Sequence, residues 1–145
     1  MSEIFEPVED VFEPLSKEEL SSLESSLGFT LPSDYASFLT KYGRCIFTGE
    51  TLIKASSGQE FEVFTMFGAK GDAGNLLSDI ELHPEYTEND LIPIADDMFN
   101  NRYVLNHESG EVSFIDYTNG IGSLVSIAKS FTEFVNEIEV VPDDE

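Results

Sequence analysis

The sequence predicts an α+β fold in a single domain of 145 residues. Two short amphipathic helical stretches near the N-terminus meet at a Gly-x-x-Leu-Pro corner, strand-like apolar runs fill the middle, and a capped amphipathic stretch ends the chain. We therefore expect two N-terminal helices and a central antiparallel sheet of about four to six strands. A short middle helix and a C-terminal helix should pack on this sheet.

The first helix is predicted to begin at Ser16, which forms a capping box with Glu19. Its apolar face has helical spacing, and Gly28 supplies a left-handed residue that ends it. The face consists of Leu20, Leu23 and Leu27. Glu24 lies beside the corner, where we expect a structural role.

A second helix should run from Pro32 or Ser33 to about Tyr42, because proline suits a first helical turn. Gly43 stops it, and Asp34 lies near its N-terminus, where the helix dipole favours a carboxylate. Its apolar stripe is Tyr35, Phe38, Leu39 and Tyr42.

The middle of the chain contains strand signals. Segments 46–54 and 60–67 are predicted to pair as a hairpin around a Ser-Ser-Gly turn. Segment 75–81 has helical spacing, with Asp72 as a candidate cap. Segment 91–95 is apolar around Pro93 and is either an edge strand or an extended lead-in.

The sequence of the last third of the chain predicts a β-hairpin followed by a helix. Segments 102–107 and 112–117 flank the turn Glu108-Ser109-Gly110. Ser130 and Glu133 form a second capping box. The buried face of the closing helix is predicted to be Phe131, Phe134, Val135 and Ile138.

Three stretches in order resemble the SUKH superfamily, which includes bacterial toxin-immunity proteins and a yeast regulator of cell-wall glucan synthesis. The first has the family's N-terminal pattern, with Leu27-Gly28, Leu31-Pro32, Asp34-Tyr35 and Phe38-Leu39 between Leu20 and Gly43. The second runs from Leu91 through Asp96-Asp97 to the strands ending at Phe114, and the third is 127–134. The chain departs from the family at 98–101, where glycines are usual.

Acidic residues dominate the charge. The chain has 29 acids and 7 bases, a net charge of −22. This excess argues against direct binding to nucleic acid or to an anionic membrane, and it favours a basic protein partner. We divide the chain into an acidic N-terminal segment (1–15), a SUKH-like domain (16–140) and an acidic tail (141–145), and expect the ends to be solvated.

Catalytic and metal motifs are weak in this sequence. His83 and His107 belong to no zinc motif, and segment 97–108 lacks the glycine of a calcium loop. Cys45 has no partner for an internal disulfide, and we expect it to be a buried small side chain rather than a reactive thiol. We therefore predict no enzyme activity, cofactor or metal, and a cytoplasmic protein, since the N-terminus lacks a signal-peptide pattern.

The resemblance implies an immunity protein that binds and neutralises a cognate toxin, often a nuclease domain of a polymorphic or contact-dependent system. A regulatory protein-binding scaffold like the yeast member is the alternative, and an enzyme with an unrecognised carboxylate site is a second rival. We favour a monomer, although the sequence leaves the oligomeric state open. The predicted partner-binding residues lie at strand ends and turns: Glu60, Glu62, Asp96, Asp97, Phe99, Tyr103, Glu108, Glu111 and Asp116.

Overall fold

Strands and helices follow one another in the predicted α+β order. The computed structural model describes residues 4–8, 11–55, 57–70, 74–117 and 124–142. The strands within these ranges are β1 (Phe5–Pro7), β2 (Cys45–Phe47), β3 (Gly49–Lys54), β4 (Glu60–Phe61), β5 (Thr65–Met66), β6 (Leu91–Asp96), β7 (Arg102–Asn106), β8 (Val112–Ile115), β9 (Val125–Ala128) and β10 (Glu139–Pro142). The helices are α1 (Lys17–Leu27), α2 (Ser33–Lys41), α3 (Leu76–Leu82), α4 (Glu85–Glu88) and α5 (Phe131–Glu137).

The strands form two antiparallel sheets. The described part of the chain contains a seven-stranded sheet in the order β1-β2-β5-β6-β7-β8-β9 and a three-stranded sheet in the order β10-β3-β4. The α+β class is therefore confirmed, but the main sheet is larger than the four to six strands expected. The additional strands β1 and β9 are short and lie at its edges.

The helix corner forms as predicted. Ser16 and Glu19 make both hydrogen bonds of the capping box, and Gly28 has a φ of 89°. The Glu24 carboxylate accepts a hydrogen bond from the Leu31 N–H at 2.8 Å, which ties the corner to α1. Asp34 accepts hydrogen bonds from the N–H and hydroxyl of Thr132, so it joins α2 to the start of α5.

Strand β6 corrects the prediction for segment 91–95, because it lies inside the main sheet rather than at its edge. It pairs with β5 on one side and with β7 on the other. Pro93 is tolerated because the register with β7 shifts between Pro93 and Ala95. Such a bulge is one of the few places where a sheet accommodates a missing N–H.

The two strands predicted at 46–54 and 60–67 are four shorter strands. Strands β3 and β4 pair as the expected hairpin, with Ile53 opposite Phe61. Strand β2 instead pairs with β1 and β5 in the main sheet. The chain therefore crosses between the sheets at Thr48 and again over 62–64.

Within the described residues, part of each acidic end forms a strand, although the ends were expected to be solvated. Phe5 is buried and β1 pairs with β2, so the N-terminal segment is part of the sheet rather than only a solvated tail. Strand β10 extends to Pro142 and pairs with β3, beyond the predicted end of the domain at residue 140. Apolar side chains next to the acids account for this order, because burying them offsets the cost of fixing the backbone.

Asn75 caps α3, because its side chain accepts hydrogen bonds from the N–H groups of Leu77 and Ser78. Asp72, the residue predicted as this cap, lies outside the described residues. The predicted face of α5 is buried as expected at Phe131, Phe134, Val135 and Ile138. The segment before α5 adds β9, which the sequence did not indicate.

The main sheet is buried on both faces at its centre. On one face Tyr103 and Leu105 belong to the large core formed with α1, α2 and α5. On the other face Val104 packs with Tyr86 of α4 in a smaller cluster. The central strands β6 and β7 are thereby held rigidly, and the loop between them begins and ends on fixed backbone.

Candidate protein-binding face

A groove opens where the edge of the small sheet faces the ends of β6, β7 and β8. Its volume is about 420 Å³. One wall is β4 with its flanking residues, and the other is the loop between β6 and β7 (residues 97–101, the β6–β7 loop) with the end of β8. The lining residues are Leu52, Gln59, Glu60, Phe61, Glu62, Asp97, Phe99, Asn101, Phe114 and Asp116.

Five of the nine predicted partner-binding residues line this one groove. They are Glu60, Glu62, Asp97, Phe99 and Asp116. Glu60 and Glu62 are far in sequence from the other three, and the groove exists because β4 lies across from the β6–β7 loop. The fold therefore brings four of the predicted acids and Phe99 to one groove, while partner contact by any of them stays a prediction.

Tyr103 is a correction to the predicted site. Its side chain is fully buried, and its hydroxyl donates to the Glu62 carbonyl at 2.6 Å. Its ring packs against Phe114 and Phe134. Tyr103 therefore belongs to the core and is not an aromatic anchor at the surface.

Asp96 and Asp97 have structural contacts rather than open carboxylates. Asp96 is only partly exposed, and its carboxylate accepts the Thr65 N–H at 2.9 Å. Burial raises the pKa of the Asp96 carboxyl to about 6. Asp97 is buried, and its carboxylate accepts the N–H groups of Phe99 and Asn101 and the Asn101 side-chain amide.

Glu108 and Glu111 lie apart from the groove. They belong to the turn between β7 and β8, whose backbone is held by the Asn106 side chain. The groove lies at the opposite end of these two strands, about 17 Å away at the usual rise per residue. Glu111 also accepts a hydrogen bond from Ser126, so the two glutamates form a separate acidic turn.

The β6–β7 loop is held in one conformation from both ends. Asp97 binds its own loop as described, and the Asn101 side chain accepts the Tyr117 N–H at 2.9 Å. Asn100 has a φ of 67°, a conformation that asparagine tolerates where glycine is otherwise common. The departure from the usual glycines at 98–101 therefore leaves the tight turn intact.

A buried ion pair fixes this loop to the rest of the fold. Arg102 donates from Nε and Nη2 to the two carboxylate oxygens of Asp79 at 2.9 and 3.0 Å. Its Nη1 donates to the carbonyls of Asn100 and Asn101 and to the Asn100 side chain. Burial acts to lower the pKa of Arg102, but the hydrogen bonds and charge of Asp79 outweigh it and raise the pKa.

This rigid loop presents large apolar side chains to solvent. Phe99 is 79% exposed and Met98 is 67% exposed, although the backbone of their loop is held by hydrogen bonds to Asp97 and Arg102. Phe64, 49% exposed, lies next to Met98 in a second groove of about 330 Å³. Met98 and Phe64 were not predicted from the sequence, although the adjacent apolar pair Met98-Phe99 inside a polar loop is a signal that marks Met98.

The two grooves form one surface, because Glu62 lines both. Within the described residues their lining contains no lysine or arginine, and its six acids are Glu6, Glu50, Glu60, Glu62, Asp97 and Asp116. We name these six acids together with Phe64, Met98 and Phe99 the acidic face. Glu60 of this face pairs with Lys54 at 3.9 Å, and both side chains are more than half exposed, so this ion pair contributes little to stability.

The described part of the chain shows no group of three or more His, Cys, Asp or Glu side chains suited to hold a metal ion. Cys45 is buried, and burial raises the pKa of its thiol to about 12, which keeps it protonated at neutral pH. Among the helices of the described residues, none has the length and apolar character needed to cross a bilayer.

Comparison with known proteins gives a family and a relative. The model of the SMI1 / KNR4 family (SUKH-1) matches residues 14–137. The chain is also similar to the SPbeta prophage-derived protein YokK of Bacillus subtilis (strain 168). The two are 28% identical over an alignment of 141 positions, which covers 83% of this chain and 72% of YokK.

Replacing Asp79 with alanine should strongly destabilise the fold. The substitution leaves the Arg102 charge buried without its partner, which costs about 3–5 kcal/mol in free energy of unfolding. Urea unfolding at pH 7 measures the effect. Glu81→Ala on the same helix is the control, because Glu81 is exposed and should change stability by less than about 0.5 kcal/mol. Equal stabilities for the two variants would contradict the role given to the pair.

Replacing Asp96 with asparagine should stabilise the protein more at pH 7.5 than at pH 5. The raised pKa means that the folded state holds the proton more tightly than the unfolded state, so stability from this group is lost as the pH rises toward about 6 and beyond. Asparagine keeps an acceptor for the Thr65 N–H and removes the buried charge. Urea unfolding at both pH values tests this, with Glu81→Gln as a control of equal charge change. A gain that does not depend on pH would be the contrary result.

Proposed function

Because the chain belongs to the SMI1/KNR4 (SUKH-1) family, we propose that it is an immunity protein that binds and neutralises a cognate toxin domain. The toxin is a basic protein, of nuclease type, from a polymorphic or contact-dependent system. The immunity protein acts in the cytoplasm by binding alone, without catalysis.

The observation that carries this proposal is the acidic face. Exposed apolar side chains cost solvation free energy unless a partner covers them, and here Met98 and Phe99 lie on a loop held by the buried Asp79–Arg102 pair. An aromatic side chain surrounded by polar groups is the usual composition of an interface centre with its rim. Phe99 is the anchor in this proposal, and the surrounding acids select a cationic partner.

The charge of the whole chain supports the choice of a basic toxin. A nuclease binds phosphates through a positive groove, so a protein of net charge −22 is attracted to it over a long range. Such steering shortens the time that a toxin remains unbound. Affinity then comes from the few side chains that lose their water on binding, while most rim acids add little each.

Binding without catalysis fits the contacts of the groove acids. Asp97, the buried acid among the lining residues, already accepts three hydrogen bonds from its own loop. Glu60 and Glu62 are exposed, as expected for acids that attract a partner.

A growth test decides between this function and a regulatory role. The C-terminal domain of the protein encoded by the neighbouring gene is expressed in cells with and without this protein. We expect the domain to stop growth alone and growth to resume when this protein is present. Growth arrest that this protein does not relieve would overturn the proposal, and a harmless housekeeping neighbour that it binds would favour the regulatory scaffold.

The acidic face should be required for this protection. We expect Glu60→Gln/Glu62→Gln and Phe99→Ala each to weaken toxin binding at least tenfold, because they remove charge or the anchor from the groove. Glu18→Gln/Glu81→Gln is the matched control, since it changes net charge equally at exposed positions of α1 and α3. Calorimetric titration gives the affinities. Equal weakening by both double variants would indicate that net charge, and not this face, determines binding.

Association with the toxin domain should depend strongly on salt. Screening weakens long-range attraction, so the association rate constant should fall about 10- to 100-fold between about 20 and 150 mM salt, while the dissociation rate constant changes less. Stopped-flow fluorescence measures both rate constants. An association rate that is independent of salt would remove steering from the mechanism.

A further inference from the structure

Strand β4 is an edge strand that lines the groove. Within the described residues it is the last strand of the smaller sheet, in the order β10-β3-β4. Its residues form one wall of the groove and the β6–β7 loop forms the other. An edge strand next to a groove is the arrangement that proteins use to bind an extended peptide as an added strand.

The contacts of the odd-numbered residues in and next to β4 show in which direction their backbone N–H and carbonyl groups point. The Gln59 carbonyl accepts the Ala55 N–H at 2.8 Å. Phe61 lies opposite Ile53, and Val63 bonds through both its N–H and its carbonyl to the Thr51 hydroxyl. The bonds of residues 59 and 63 therefore show that their backbone groups point toward β3, and by alternation those of residue 61 do the same.

The backbone N–H and carbonyl groups of the even-numbered residues point away from β3, because these groups point to opposite sides in successive residues of a strand. The Glu62 carbonyl accepts the Tyr103 hydroxyl, and the Phe64 N–H donates to the Asp96 carbonyl at 2.8 Å. By the same alternation, the N–H and carbonyl of Glu60 and the N–H of Glu62 point away from β3, into the groove.

We propose that an extended basic segment of the partner adds to the edge of β4 as a further strand. The inference rests on the proposed function and names the element by which the toxin is held. The new strand bonds to the N–H and carbonyl of Glu60 and to the N–H of Glu62. A volume of about 420 Å³ accommodates a few residues of such a segment.

The side chains of β4 determine which residue types the added segment should contain. Glu60 and Glu62 lie on one face of the strand, so the neighbouring side chains of the added strand on that face are lysine or arginine. On the other face Phe61 packs on Phe114 with ring centroids 4.5 Å apart, which favours apolar neighbours. The segment therefore alternates basic and apolar residues, and Phe99 covers it from the opposite wall.

Charge also excludes a second copy of this chain as the occupant. Two β4 edges brought together would place Glu60 and Glu62 against the same acids, and like charges directly opposite destabilise a strand pair. Acidic side chains on a short edge strand are a usual protection against such self-association.

Peptides test this inference without the toxin. The probe is a capped heptapeptide of alternating arginine and valine, and two matched peptides of equal charge carry N-methyl groups on the arginines or on the valines. We expect the unmethylated peptide to slow hydrogen exchange of the Glu60 and Glu62 amides at least tenfold. One methylated peptide should lose this protection and the other keep it, because only one set of peptide N–H groups faces β4. Equal binding of all three peptides without amide protection, or no binding at millimolar concentration, would overturn strand addition.

A proline variant tests the same contact in the complex with the toxin domain. Glu60→Pro removes the charge and the N–H that faces the groove, whereas Glu60→Ala removes only the charge. Proline is tolerated on the outward side of an edge strand, and circular dichroism checks the fold. We expect dissociation to be at least tenfold faster for Glu60→Pro than for Glu60→Ala. Equal rates would overturn strand addition but leave the immunity function standing, because relief of growth arrest by the unmodified protein is scored separately.

Discussion

The buried pair of Asp79 and Arg102 is the interaction on which the candidate site depends. It joins α3 to the first residue of β7, and the remaining donors of Arg102 hold the backbone of Asn100 and Asn101. Removing two charges from water is costly, and the cost is offset here by bidentate geometry and by three further hydrogen bonds. Without this pair the β6–β7 loop would lack its main attachment to the helical layer.

The hydrogen bonds that hold the β6–β7 loop lower the entropic cost of binding through its exposed side chains. The loop backbone that carries Met98 and Phe99 is already held by hydrogen bonds, so binding has little backbone to order. The loop is fixed by Asp97 within itself, by Arg102 below and by the contact of Asn101 with Tyr117. The family membership and this geometry together favour a surface that contacts another protein.

The excess of acids acts on this protein in three ways. It attracts cations over a long range, it limits pairing between copies at the edge of β4, and it lowers stability through self-repulsion. The large aromatic core compensates for the last effect, with Tyr35, Tyr103 and Phe134 fully buried. Charge at the surface and packing in the interior are therefore complementary features of the same sequence.

Local signals in the sequence determined the elements whose hydrogen bonds close within a few residues. The Ser16 cap, the left-handed Gly28 and the β7–β8 turn follow from neighbouring residues, and the order of three stretches that resemble the SUKH pattern indicated the family. Tertiary structure decided whatever requires partners distant along the chain. It placed β6 between two strands despite Pro93, buried the Tyr103 ring in the core, and brought Glu62, Phe99 and Asp116 to one groove. Periodicity shows which side chains share a face of one element, but the pairing of strands decides which face is covered.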